Sequence, residues 1–477
     1  MPPSAHDTPS PEQQRLIDGA SRAYQAAADP SSRISAGLLL CELLGNAGLY
    51  DQALPLLEGL QQLALDDESQ ARVLRRTGWL YMRQSRFDQA ATCLGEAIIK
   101  LSQCGGSLEI FHVYRDLAWI YYRQGFLDQA RNYGDGAHLI LSNHAGSGPA
   151  VDEAWELLDH VLALIEAAAG DHGAAIAWLE RERAIIERCG DTAKLAALYN
   201  KLASVHQARG DLVTALELQQ RAQQAAVQHG DLLRTAVCYK NLAEIHYCMG
   251  DLERSRQFND RFMELNQSLG NSLGDAFGHA GRARLQAELG DHTAAEQSYK
   301  QALAVARAIK FKGREAAILA ELAELYCRGN KLQAADDCFR QSCETAVEIN
   351  ITGSQRQMVL KAQLLCARAE AALAVERRTA LLQDAARALG TALARPIAID
   401  DEEIMSAPEL EMAAHALLAR VQQLQGRRDK AIESLDRARA ARDRLSAQFE
   451  GAVRQLFLGR RPFRELAALE KTIAMMP

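Results

Sequence analysis

The chain has 477 residues, 48% of them hydrophobic and 24% charged, and a formal net charge of −7. That balance excludes a generally basic nucleic-acid binder and an acidic disordered chain. Prolines number only 11, strong helix formers dominate, and alternating β-branched runs are almost absent, so the chain reads as all-helical.

The first ten residues read as a disordered lead-in, without the basic and apolar regions of a signal peptide. A first helix is expected at about 11–28, and "ADPSS" (28–32) separates it from the first hairpin. Hairpins 1–3 are expected up to residue 142. "SNHAGSGPA" (142–150) then forms a loop, across which the spacing jumps from 40 to 45 residues. It is a surface insertion or a flexing point between two sub-arrays. Hairpins 4–8 fill 151–350. Residues 351–447 hold an irregular ninth hairpin at about 353–395, an acidic linker (395–408) and a tenth hairpin. The tail from 448 has apolar residues at helical spacing and reads as a capping helix or a dimerisation helix. No window of about 20 residues is apolar enough to span a membrane.

The organising signal is a period. Glycines stand at 170, 190, 210, 230, 250, 270 and 290, each followed by Asp or Asn, and Asn330 and Asn350 continue the series. Glycine ends a helix in the left-handed region without a Cβ penalty, and the next Asp or Asn can cap the following helix. Each twenty-residue unit is therefore one helix plus a tight turn. Two helix types, A and B, alternate, so the true repeat is forty residues. With the mid-turn glycine as position 15, position 8 is Cys41, Gly78, Ala118, Ala163, Ala203, Ala243, Ala283, Ala323 and Ala419. Position 20 is Ala53, Ala90, Ala130, Ala175, Ala215, Ser255, Ala295, Ala335 and Ala431. Small residues at two fixed places let the two helices of a hairpin cross closely.

These letters carry a resemblance. "NKLASVHQARGDLVTALELQQRA" (200–222) and "YKNLAEIHYCMGDLERSRQ" (239–257) resemble tetratricopeptide repeats. The similarity is to the longer-helix variety of kinesin light chains, LGN-type adaptors and bacterial Rap-type regulators, and it covers about residues 31–447. It implies an all-α, right-handed superhelical solenoid of about ten antiparallel hairpins with terminal capping helices. The usual repeat is about 34 residues; forty adds about 4.5 Å to each helix.

No catalytic constellation stands out. "CGGS" (104–107) and "GSG" (146–148) lack the Lys-Ser/Thr of a phosphate loop. There is no nucleophile elbow or zinc-protease motif. His246 and Cys248 are the nearest thing to a metal pair, but His246 matches His206 forty residues earlier at packing position 11. The ten cysteines form no Cys-x-x-Cys pair and read as reduced thiols of a cytoplasmic protein. No enzyme activity, cofactor or metal is expected.

Function is sought where packing leaves the residue free. The resemblance implies that positions 2, 5, 9, 12 and 13 of helix A line a concave groove. In the second hairpin these are Arg72, Arg75, Trp79, Met82 and Arg83; in the third, His112, Arg115, Trp119, Tyr122 and Arg123. Three places match: Arg75 with Arg115, Trp79 with Trp119, Arg83 with Arg123. Residues 71–131 hold nine Arg/Lys and five Asp/Glu, a net +4. Exposed Trp and Arg dominate binding hot spots, and Arg both stacks on Trp and grips carboxylates. The expected ligand is a protein or peptide segment, acidic with an aromatic or apolar anchor. Weaker candidates are Asn200 and Asn241, with Lys240 and Tyr247 at groove positions of the sixth hairpin. Duplication of one ancestral repeat accounts for the same match, with Trp79 and Trp119 packed against the next hairpin. A protein- or peptide-binding adaptor or regulator is the first reading. A bacterial sensory module acting through a separate output partner is the second, and Rap-like help in hydrolysing a partner's phosphate is the third. Nucleic acid is disfavoured by the acidic whole, and a homodimer through the tail is the alternative to capping.

Overall fold

The computed structural model describes residues 11–64, 66–84, 86–102, 108–144, 148–348, 354–394 and 407–476. The expected lead-in, Cys104, Asn350 and most of the acidic linker lie outside them. Among the described residues every regular element is a helix. None is long and apolar enough to cross a membrane. The chain divides into two compact units, Met1–Ile165 and Glu166–Pro477.

The first unit holds α1 (Pro11–Ala26), α2 (Pro30–Asn46), α3 (Tyr50–Leu63), α4 (Asp67–Arg83), α5 (Phe87–Ser102), α6 (Leu108–Arg123) and α7 (Leu127–Ser142). The unit boundary falls within α8 (Pro149–Ala168). The second unit continues with α9 (His172–Cys189), α10 (Thr192–Arg209), α11 (Leu212–Gln228), α12 (Leu232–Met249), α13 (Leu252–Leu269), α14 (Ser272–Glu288), α15 (His292–Ala308), α16 (Lys312–Arg328) and α17 (Leu332–Glu348). It ends with α18 (Gln355–Ala371), α19 (Val375–Leu393), α20 (Ala407–Leu424), α21 (Arg428–Ser446), α22 (Gly451–Leu458) and α23 (Arg461–Ala474).

Consecutive helices pack as hairpins: α2–α3, α4–α5 and α6–α7 in the first unit, and the six pairs from α10–α11 to α20–α21 in the second. The turns follow from the twenty-residue period. The glycines from 170 to 290 sit at φ between +63° and +89°, where a Cβ would be strained. Asn330 takes the same conformation at φ +55°, and Lys310 at φ +58°. Asp171, Asp211, Asp231, Asp251 and Asp291 each accept a hydrogen bond from the backbone N–H three residues on. The helices therefore start and stop where local chemistry places them.

The small positions close the hairpins. Ser255 Oγ at position 20 of α13 donates to the carbonyl of Ala243 at position 8 of α12, at 2.8 Å. At Gly78 an added Cβ would lie 3.0 Å from Leu94 Cγ and 3.3 Å from the Ala90 carbonyl, so α4 and α5 cross at backbone distance. Within each unit the first helices of successive hairpins touch, as α2–α4–α6 and as α10–α12–α14–α16–α18–α20.

The end of the second unit adds a long-range feature. α23 packs on α20 and α21, and α22 packs on α21 and also on α12. Phe449, Phe457 and Phe463 pack as tilted ring pairs at centroid distances of 4.8 and 4.6 Å within a core that includes Leu212 and Cys248. Gln448 Nε2 donates to the Gly210 carbonyl at 2.7 Å, and its Oε1 accepts from Leu212 N at 2.7 Å. The C-terminal helices thus reach back more than two hundred residues along the chain.

Candidate functional site

The A-helix side of the first unit contains a concavity of about 230 Å³. It is lined by Ser35, Leu38, Leu39 and Glu42 of α2, by Arg72, Arg75, Arg76 and Trp79 of α4, and by Glu109 and Asp116 of α6. Those from α2 and α4 occupy positions 2, 5, 6 and 9 of their repeats. Sequence reasoning placed this face on the second and third hairpins and left out the first. The same rule, applied to α2, selects Ser35, Leu38 and Glu42. Leu39 is 51% exposed, an apolar wall beside the basic residues.

The arginines of this face fall into two groups. Arg75 Nη1 lies 2.8 Å from Glu109 and its Nε 3.4 Å from Asp116. Arg115 also pairs with Asp116, and Arg76 reaches Glu42 at 2.8 Å. Burial pushes the Asp116 carboxyl up, but Arg115 and Arg75 more than offset it and hold the carboxyl below its usual range. Neighbouring His112 is pushed down to about 3 by burial, reinforced by Arg75 and Arg115. It is neutral at any ordinary pH. Arg75, Arg76 and Arg115 are thus already committed to carboxylates of the protein. Among the described residues, no carboxylate pairs with Arg72, Arg83 or Arg123.

Arg83 and Arg123 instead lie over indole rings. Arg83 is 6.0 Å from the Trp79 centroid and Arg123 is 5.2 Å from that of Trp119. Arg76 approaches Trp79 from another side at 5.2 Å. Both tryptophans are half-buried. Trp79 fills the space above Gly45 in the preceding hairpin, where an added Cβ would meet the ring at 2.5 Å, and it also packs against the core that α4 and α5 share with α6. Trp119 sits edge-on to Phe87 of α5 at 6.2 Å, again toward the preceding hairpin. Each ring offers the groove only its remaining face. Met82 is buried in the core of α4, α5 and α6 and cannot touch a ligand. Its repeat counterpart Tyr122 is half-buried against α7 and α8 residues.

The weaker candidates, in the second unit, already have partners. Asn200 Oδ1 accepts from Asn241 Nδ2 at 2.6 Å and from Gln219 Nε2 at 3.1 Å. These amides tie α10, α11 and α12 together. Lys240 lies 5.0 Å from the Phe277 ring and 3.6 Å from Glu244. Tyr247 lies under the Arg460 guanidinium at 5.8 Å. Burial raises its phenol above the ordinary range, reinforced by Glu288. His206 and His246, the matched packing histidines, are buried, and His206 Nδ1 lies 3.0 Å from Asp211. Among the described residues no cluster of side chains could hold a metal ion.

Comparison with known proteins agrees with the repeat geometry. Tetratricopeptide-repeat family models match residues 194–268 and 279–309. No curated protein sequence matches the chain. Among solved structures, a Rap protein complexed with Competence and Sporulation Factor is similar at 15% identity, covering 80% of this chain and 100% of that one, with a TM-score of 0.53. Aspartyl phosphate phosphatase F from Bacillus subtilis is similar at 13% identity over 70% of this chain and 89% of that one, with a TM-score of 0.52. The apo form of RapI matches at 12% identity over 58% and 98%, with a TM-score of 0.50. At these identities the likeness is one of fold. The glycine-punctuated hairpins, the small residues at their crossings and the matched repeat models together make this chain a tetratricopeptide-repeat protein.

Proposed function

We propose that the chain is a protein- or peptide-binding regulator of the cytoplasm, and that its ligand segment binds on the A-helix face of α2, α4 and α6. The observation that carries this reading is the division among the arginines. Among the described residues, no carboxylate pairs with Arg72, Arg83 or Arg123, while Arg75, Arg76 and Arg115 each have one. An exposed guanidinium loses little solvation when it grips a ligand carboxylate bidentately, whereas a committed one must first give up its partner. Leu39 and the open faces of Trp79 and Trp119 supply an apolar seat beside these charges. The ligand is therefore an acidic segment with an aromatic or apolar anchor.

The test is charge reversal at the two places that packing leaves free. The Arg83→Glu/Arg123→Glu protein should fold with an unchanged melting temperature and lose capture of partners from a lysate of its own cells, quantified by mass spectrometry against the unaltered chain. Capture that survives in a folded double variant would exclude this face as the binding site.

A further inference from the structure

The A-helix face of the second unit is built differently. Positions 9 and 13 of α12, α14 and α16 read Glu244 and Cys248, Arg284 and Glu288, then Glu324 and Arg328. Arg284 lies 3.5 Å from Glu244 and 3.3 Å from Glu321, and Arg328 pairs with Glu324. The carboxylate left over is Glu288, whose side chain is only 7% exposed. Its ion-pair partners among the described residues are Arg461 and Arg464, both from the C-terminal tail, at 3.8 Å each. The backbone N–H of Arg461 also donates to Glu288 Oε1 at 2.9 Å, and Arg461 Nη2 donates to Glu324 at 3.0 Å.

Arg460 completes the seat. Its side chain is 7% exposed and donates to Glu409 and to the Cys248 carbonyl, each at 2.7 Å. The guanidinium lies 5.7–5.8 Å from the rings of Tyr247, Phe457 and Phe463. The backbone is equally close: an added Cβ on Gly250 would lie 2.5 Å from the Leu456 carbonyl. A turn of sequence "LGRRPF" (458–463) therefore rests on α12, α14 and α16 through charged hydrogen bonds.

A buried carboxylate is stable only with a cationic partner, because desolvation of the lone charge is costly. Glu288 is thus an arginine receptor by construction, and the tail supplies its arginines beside the apolar contacts of Phe457 and Phe463. We propose that the face of α12, α14 and α16 is a binding site for a segment carrying an adjacent arginine pair beside an aromatic residue, and that Arg460 and Arg461 hold it as a built-in competitor. A partner protein with such a segment displaces the turn and frees the tail. The site is separate from the face of α2, α4 and α6 and does not rest on the function proposed for that face.

The probe is a fluorescent peptide copying residues 455–466, with a control in which both adjacent arginines are alanine. The full-length Arg461→Ala/Arg464→Ala chain weakens the tail's hold while leaving the buried Arg460 in place. It should bind the peptide at least tenfold more tightly than the unaltered chain does, and neither should bind the control. Adding Glu288→Gln should abolish binding. Equal binding of peptide and control, or no binding by a variant with the unaltered circular dichroism and melting temperature, would overturn the proposal. Hydrogen exchange on the unaltered chain decides the matter if the variant misfolds. Millimolar peptide should speed exchange across 451–476, and unchanged exchange rejects displacement. A chain that is dimeric without peptide and monomeric with it would place a second copy's tail in the site, and would likewise reject the built-in competitor.

Discussion

The A-helix faces of the two units carry similar residue types and use them in opposite ways. On α4 and α6, no carboxylate among the described residues pairs with Arg72, Arg83 or Arg123. On α12, α14 and α16, the arginines and glutamates pair with one another, and Glu288 is satisfied by the tail. The first face is left uncovered by its own unit, and the second is covered by the turn at 458–463. The comparison shows that a repeat array sets which positions face inward, while the pairing of charges at those positions decides whether a face is available.

The largest effect that would sharpen this contrast is expected at Arg460. Its replacement by alanine leaves Glu409, 2% exposed, buried without that cation. Loss of one member of such a pair costs about 3–5 kcal/mol. Denaturant unfolding should show a loss of that size in the second unit. A loss below about 1 kcal/mol would mean that the turn is loosely seated.

A pair of glycines tests the same seat through the backbone. Gly270 sits at φ +63° with nothing within 4 Å of an added Cβ, so Gly270→Ala should cost only the strain of a left-handed alanine, about 1 kcal/mol. Gly250 has φ +84° and the Leu456 carbonyl against it. Gly250→Ala should cost about 2 kcal/mol more, since the tail must shift. Equal losses in the two variants would break the claim that the tail is pressed on α12.

Acid should weaken both units through their buried histidines. Burial lowers His112 to about 3 in the first unit, and burial is also the main cause of the lowered values of His172, His246, His279 and His415 in the second. For each, the unfolded chain takes up the proton first as pH falls below about 6.5, so stability is lost from there downward. His112 alone would contribute about 2 kcal/mol of loss by pH 5. Thermal melts at pH 7 and pH 5 should differ accordingly, and His112→Gln should reduce the difference. A melting temperature that rises on acidification would contradict the sign.

The smallest stability effect belongs to the free face. Arg83 and Arg123 are exposed and, among the described residues, pair with no carboxylate, so reversing both charges should change stability by no more than about 0.5 kcal/mol. A larger loss would show that their stacking on Trp79 and Trp119 is structural, and the two faces would then differ less than their ion pairs indicate.

The hairpins were legible because their causes are local. A glycine needs only its own φ and its neighbour's cap to end one helix and begin the next, and Asn330 adopts the same left-handed turn with different letters. The small residues at positions 8 and 20 are buried for a reason visible in one forty-residue window, as the Ser255–Ala243 hydrogen bond shows. The first binding face was legible in part. Its helix positions follow from the repeat, but the partners of Arg75 and Arg76 lie 34 to 41 residues away on neighbouring repeats, while that of Arg115 is the adjacent Asp116. Nothing in the spacing tells a committed arginine from a free one. Met82 and Trp79 show the same limit: Met82 is taken into the core of α4, α5 and α6, and Trp79 fills the space that Gly45 leaves open.

By itself, then, the amino-acid sequence determined the helices, their turns, their pairing into hairpins and the side of each helix that faces inward. These depend on backbone conformation and on packing within about forty residues. Only the tertiary structure decided which charges remain available and that Arg460 and Arg461 reach Cys248 and Glu288, 212 and 173 residues upstream. That outcome depends on many small rotations from one hairpin to the next. Accumulated along the second unit, they bring the tail onto α12 and α14, and no single repeat encodes the sum.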